Sequence, residues 1–184
     1  MSKVAIMIAN GCEEIEALTV VDILRRASID IDMVSIADGK DVVSSHRIAF
    51  VCDRTIDEIN KDEYDGVILP GGMPGTENLR ADERVADIVK SYFADGKLVA
   101  AICAAPSVLG DLGVLDGKRA TCHPGFEDRL GKASFTEDSV AVDGNVITSR
   151  GMGTAIDFGL AILDYLGDGS KTKDEVAGDL VYQR

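Results

Sequence analysis

The chain opens with KVAIMIA, residues 3–9, a run of mostly branched apolar residues, followed by Asn10, Gly11 and a stretch from Glu13 to Ala27 with helical spacing. This pattern predicts strand, turn and helix, with Ile15, Leu18, Val21, Ile23 and Leu24 as the helix's apolar positions. IDIDMVSIA then alternates as a second strand should, so a βαβ unit opens the protein. Between residues 38 and 57 polar and apolar positions mix without a period, and only residues 48–52 read as a short strand. GVILPGG, residues 66–72, predicts a buried strand ending in turn residues, and helical spacing returns over residues 84–93.

LVAAI, residues 98–102, runs as a hydrophobic strand straight into Cys103, after which residues 105–112 read as helix. Residues 119–122 predict a strand that delivers His123 to the same sheet edge as Cys103. Residues 140–142 and 146–148 predict two strands that pair as a hairpin around Asp143 and Gly144. Beyond Gly151 and Gly153, Ile156, Phe158, Leu160, Ile162, Leu163 and Leu166 give a helix a broad apolar face, and a final amphipathic segment closes the chain. Strands alternating with helices predict an α/β fold, a doubly wound and mainly parallel sheet whose ligands bind beyond the carboxyl ends of its strands. Turns at residues 10–16, 70–73 and 103–106 lie there. The sequence contains no internal repeat or linker, so residues 1–184 are expected to form a single domain.

Composition narrows the function. A formal net charge of −13 and a pI near 4.5 set the chain against nucleic-acid backbones. No apolar run is long enough to span a bilayer, and the N-terminus lacks a signal-peptide pattern, so a cytoplasmic protein is expected. Cys12, Cys52, Cys103 and Cys122 are scattered and form no CxxC pair, so neither disulfides, a metal nor another cofactor is expected.

Two readings of Cys103 remain open at this level. A buried cysteine is commonly a small core hydrophobe. A thiol at a strand end, followed by helix-compatible residues, instead lies near free N–H groups that favour the thiolate. Glu16 sits one turn into the first helix, where a carboxyl pointing along the sheet edge reaches Cys103 and can shuttle a proton; most helical glutamates face solvent instead. His123 is either a base beside the thiol or a loop imidazole before Pro124. His46 falls in the unpatterned excursion. Gly71 and Gly72 let backbone approach a reacting oxygen, and the N–H of Ala104 is the natural second oxyanion donor.

GCEEIEA, LPGGMPG, AAICAAP, CHP and TSRGMGTAIDFGLAI, in that order, resemble the ThiJ/PfpI superfamily over nearly the whole chain. The similarity is greater to the branch of the human Parkinson-linked deglycase protein and bacterial YajL than to the intracellular-protease branch, which has histidine where Ala104 follows the nucleophile. The resemblance implies a flavodoxin-like sheet sandwiched by helices, a nucleophile elbow at Cys103 and a homodimer. It makes Cys103 the reactive, oxidation-sensitive thiol, Glu16 its protonated partner and His123 a nearby general base. Gly72 and Ala104 become the oxyanion donors. Arg26 and Arg47 match substrate-pocket positions, Arg47 from across the dimer interface, and Cys52 matches a dimer contact. Met152 replaces a proline common in relatives, and Ser45 stands where some carry another cysteine.

The activity this implies is cysteine-dependent, glutathione-independent conversion of methylglyoxal or glyoxal to hydroxy acids, or deglycation of early dicarbonyl adducts on proteins. The alternative is a redox-sensing chaperone that uses the oxidisable Cys103. A peptidase and a thiazole-biosynthesis enzyme are the weaker readings.

Overall fold

The computed structural model describes residues 1–183. Its centre is a seven-stranded sheet. In chain order the elements are β1 (Lys3–Ile8), α1 (Glu14–Arg26), β2 (Asp30–Ser35), β3 (Asp41–Val43), β4 (Ala49–Val51), β5 (Arg54–Thr55) and β6 (Gly66–Leu69). There follow α2 (Gly75–Ala81), α3 (Glu83–Ala94), β7 (Leu98–Ile102), α4 (Pro106–Asp111), β8 (Arg119–Ala120) and β9 (Ser134–Phe135). β10 (Val140–Asp143), β11 (Val146–Ser149), α5 (Ala155–Leu166) and α6 (Lys173–Asp179) complete the chain.

The strand order is β10-β11-β7-β6-β1-β2-β5, parallel throughout except for the antiparallel pair β10 and β11 at one edge. β1, β6 and β7 are almost entirely buried, as befits central strands covered on both faces. One apolar layer sits under α1 and α5 around Ile6, Ile8, Ile68, Ile102 and Phe158, and a second sits under α3 and α4 around Met7, Leu69, Val99, Tyr64 and Tyr92. None of the described helices is long and apolar enough to cross a membrane.

Three expectations need correction. The first concerns α1, whose inward face is Ala17, Val20, Val21, Ile23 and Leu24 together with Glu14 and Glu16, while Ile15 and Leu18 point outward. Apolar spacing alone ranked those positions, and the packing partner chose otherwise. The second concerns residues 38–57, where the short strand expected at residues 48–52 is present as β4 but pairs with an unexpected β3 in a small hairpin outside the main sheet, and β5 adds an edge strand. The third concerns the strand before His123: it shrinks to two residues and pairs with β9 in a separate ribbon. Helix α2, between Gly75 and Ala81, had no expected counterpart.

Candidate active site

The carboxyl ends of β1, β6 and β7 meet at one edge of the sheet. β7 delivers Cys103 in a left-handed conformation, φ 66°, unusual for a residue with a side chain. Its backbone is clamped from both sides: Cys103 N–H donates to Ser149 O at 3.0 Å, and Cys103 O accepts from His123 N–H at 2.8 Å. The turn thrusts the thiol above the strand end, against the backbone N–H groups of Ala104 and Gly72, both of which bond the sulfur.

Behind the elbow, the buried Ser107 hydroxyl donates to Ala104 O at 2.6 Å and accepts from the Arg80 guanidinium at 2.5 Å. Arg80 also pairs with Glu77 and Asp111. The start of α4 is thus tied to α2.

Glu16 is 1% exposed and reaches across from α1. Its Oε2 accepts the Gly71 N–H at 2.9 Å, and its carboxyl is also hydrogen-bonded to the Cys103 thiol and the Met152 N–H. Gly71 is glycine for a steric reason: a Cβ there would lie 2.6 Å from the Cys103 Cβ and 2.7 Å from Glu16 Oε2. At Gly72, φ 89° and a Cβ position 2.2 Å from Glu13 N impose the same choice.

Burial is the main force on both acids. It pushes Glu16 up to about 7 against the lowering bonds from Cys103 and Gly71, so this carboxyl keeps its proton well above the usual range. Burial, then the Glu16 charge, pushes Cys103 up to about 12, outweighing the pull of the Ala104 and Gly72 N–H groups. The two groups are coupled: an ionised Glu16 keeps the thiol protonated and stands ready to take that proton, whereas a protonated Glu16 removes the charge that raises the thiol. Cys12 and Cys52 are likewise pushed up to about 12, and Cys122 to about 11, in each case chiefly by burial. All three are buried, whereas Cys103 is half-buried.

A cavity of about 410 Å³ opens over Cys103, with Glu16, His123 and Met152 in its walls. His123 arrives through its backbone bond to Cys103 O rather than through a sheet strand, and its Nδ1 lies 2.9 Å from Pro124 O, leaving Nε2 for the cavity. Cys103, Glu16, His123, Gly72 and Ala104 are thus brought together. Arg26 is not among the cavity residues; it is exposed and pairs with Asp22 on its own helix at 2.6 Å. Arg47 is exposed too, at φ 65° in the β3–β4 turn, and does not line the cavity within this chain.

The structure adds residues that sequence reasoning missed. Glu13, Glu14 and His46 stand at the cavity mouth, His46 Nδ1 being 3.1 Å from Glu14 Oε1. Burial pushes the Glu14 carboxyl up, but its own N–H, the Ser44 hydroxyl and His46 together hold it below the usual range. The available signal was the pairing of DVV with AFV around Ser44–Arg47, which folds His46 back onto the first turn.

Known proteins resemble this chain in sequence and fold. The chain is 39% identical to Protein dj-1beta of Drosophila melanogaster over 98% of both chains, and 33% identical to a Pyrococcus horikoshii protein named a deglycase, over 80% of this chain and 89% of that one. Two Arabidopsis thaliana DJ-1 homologs are 39% and 38% identical, and the chain spans only 41% and 46% of their lengths. Among solved structures, a cysteine-to-alanine variant of a DJ-1 superfamily protein from Salmonella typhimurium superposes with a TM-score of 0.94 at 36% identity. An oxidized Toxoplasma gondii DJ-1 superposes with a TM-score of 0.94 at 34% identity, and both structures are covered in full, as is this chain. The DJ-1/PfpI family profile matches residues 2–165, and with the elbow, sheet order and relatives in agreement, the chain belongs to the DJ-1/PfpI family.

Proposed function

We propose that the protein is a cysteine-dependent enzyme that converts methylglyoxal and glyoxal to hydroxy acids without glutathione, and acts on early dicarbonyl adducts of proteins through the same pocket. The observation that carries this reading is the Cys103 sulfur, held on a left-handed turn between two backbone N–H donors and the Glu16 carboxyl. The deglycase name of the Pyrococcus relative supports the substrate class.

The chemistry follows from the geometry. As Sγ attacks the aldehyde carbon, its proton passes to the Glu16 carboxylate, and the carbonyl oxygen becomes an oxyanion beside the N–H groups of Gly72 and Ala104. Glu16 then protonates that oxygen to give a hemithioacetal. His123 Nε2 accepts the C1 proton and returns one at C2 through an enediol, leaving a thioester on Cys103. Water hydrolyses the thioester, releasing lactate and restoring the thiol, so one water is consumed per methylglyoxal. The elbow contributes electrostatic preorganisation, which is commonly worth ~10²–10³ in rate per oxyanion donor.

A homodimer is part of the proposal. Ile15 and Leu18 on the outer face of α1, and Val43, Ile48 and Val51 on the hairpin, are exposed apolar side chains that such an interface would cover. In it, Arg47 is assigned to the partner's pocket. Light scattering tests this point, and a monomer at micromolar concentration rejects it.

The decisive experiment is lactate formation from methylglyoxal by wild type and Cys103→Ser. The expected result is loss of turnover to background in the variant, and equal lactate from both proteins overturns the enzymatic reading. A second reading, a redox sensor, is favoured by the half-exposure of Cys103 beside three buried cysteines and by the oxidized state of the Toxoplasma relative. Mild peroxide should then add two oxygens at Cys103, read by intact mass, and a chain left unmodified rejects it.

A further inference from the structure

At the mouth of the cavity, Glu13, Glu14 and His46 each offer one donor atom, and all three atoms lie within 4.8 Å of one another. They come from two elements that are fixed to each other. Ser45 N–H donates to Cys12 O at 2.8 Å, Gly11 N–H to Val43 O at 2.8 Å, and Val43 N–H to Asn10 Oδ1 at 2.9 Å. The hairpin turn carrying His46 is therefore held against the turn carrying the two glutamates.

Three features of this cluster have no role in the proposed chemistry. Glu13 and Glu14 have side chains only 12% and 10% exposed, and no lysine or arginine pairs with either among the described residues. Glu13 faces His46 through Oε2, while its other oxygen, Oε1, is buried with no hydrogen-bond partner. His46 Nδ1 lies 3.1 Å from Glu14 Oε1 and 3.5 Å from Glu13 Oε2, so one ring nitrogen is shared between two carboxylates. A lone hydrogen bond accounts for the first distance only.

A common ligation geometry accounts for both. Nitrogen and oxygen donors about 2.0–2.2 Å from a tetrahedral zinc ion stand roughly 3.3–3.5 Å apart, close to the separations seen here. One imidazole and two carboxylates are borderline to hard donors, suited to Zn²⁺ and its first-row neighbours. The Ser45 hydroxyl, 3.1 Å from His46 Nδ1 and 3.4 Å from Glu13 Oε2, stands behind both groups as an orienting contact.

We propose that Glu13, Glu14 and His46 form a binding site for a divalent transition-metal ion, of which Zn²⁺ is the type, at the mouth of the Cys103 cavity. The site is separate from the Glu16–Cys103 pair, and an ion held there narrows the approach to the thiol. Ion binding does not depend on the dicarbonyl reading and is tested without turnover.

The experiment is titration of the full chain with Zn²⁺ against a chelating dye, for wild type, His46→Ala, Glu14→Gln and Cys103→Ser. Alkylation of Cys103 by iodoacetamide is followed in parallel with and without the ion. Wild type is expected to bind one equivalent at micromolar concentration, His46→Ala and Glu14→Gln at least about tenfold more weakly, and Cys103→Ser within about threefold of wild type. Zinc should slow alkylation in wild type and not in His46→Ala. Binding that survives both mouth substitutions, binding lost in Cys103→Ser, no binding by wild type, or alkylation indifferent to zinc overturns the proposal. Folding of the variants is read by circular dichroism, and Glu14→Asp, which keeps the donor, should restore part of the affinity.

Discussion

The floor and the mouth of the Cys103 cavity are built by different means. The floor is made of consecutive strand–turn–helix units: Cys103 ends β7, Gly71 and Gly72 follow β6, and Glu16 begins α1. Its geometry is held by backbone, through the clamped peptide at Cys103 and the N–H groups of Gly71, Gly72 and Ala104. The mouth is made of side chains on a hairpin outside the main sheet, with His46 65% exposed against Glu13 and Glu14. The contrast assigns chemistry to the floor, where a small displacement is costly, and access to the mouth, where side chains can change with less consequence.

The sharpest way to break this division is at Glu16. Glu16→Gln keeps the shape and removes the proton acceptor, and kcat/KM for methylglyoxal should fall at least about 10²-fold. A fall of less than threefold would move the acid–base role elsewhere, with His123 first in line.

The second test reads stability. Glu16 holds its proton from the ordinary 4.5 up to about 7 in the folded state, so the folded chain binds more protons than the unfolded chain across that window. Stability should therefore decline as pH rises from about 4.5 to 7, by roughly 3 kcal/mol from this group. Thermal melts in chelator-containing buffers should show a flatter profile for Glu16→Gln over the same range. Parallel profiles for the two proteins would mean that the carboxyl ionises as freely in the fold as outside it.

Smaller effects distinguish the supports. Ser107→Ala removes the hydroxyl between Arg80 and Ala104 O and should cost about 1 kcal/mol, seen as a Tm lowered by a few degrees; the Ser107 N–H still reaches the same carbonyl. His46→Ala, measured with chelator present, should alter kcat by less than about tenfold, because its bonds are to Glu13, Glu14 and Ser45 and not to the sulfur. A larger loss would erase the distinction between mouth and floor. Arg26→Ala should leave kcat/KM unchanged, since its side chain pairs with Asp22 in solvent.

The same contrast governs what could be read from the sequence. β1, β6, β7 and the hairpin β10–β11 were legible because buried central strands are written as short apolar runs, and the elbow because such a run stops at a cysteine followed by small residues. Cys103, Gly72 and Ala104 sit within one turn of those strands, so locating the strands located them. Glu16 was harder: nothing local distinguishes it from Glu14, and only the partner across 55 residues, Gly71, reveals which way it points. Ile15 and Leu18 misled for the same reason. His46 was illegible because only β4 registered as a strand, while β3, three residues long and alternately exposed, left the pairing that folds His46 back unseen. His123 was placed on the right edge by the wrong route, since a backbone bond to Cys103 does what a sheet strand was expected to do.

The left-handed turn at Cys103 also sets the direction in which mutation is easy. Glycine adopts that conformation without the penalty a side chain incurs, and strain of this kind commonly costs ~1–3 kcal/mol. At this codon, selection for thermal resistance alone favours the residue that has no sulfur. A stability screen of this protein run without an activity filter should therefore enrich inactive chains, and Cys103→Gly is the substitution by which to recognise them.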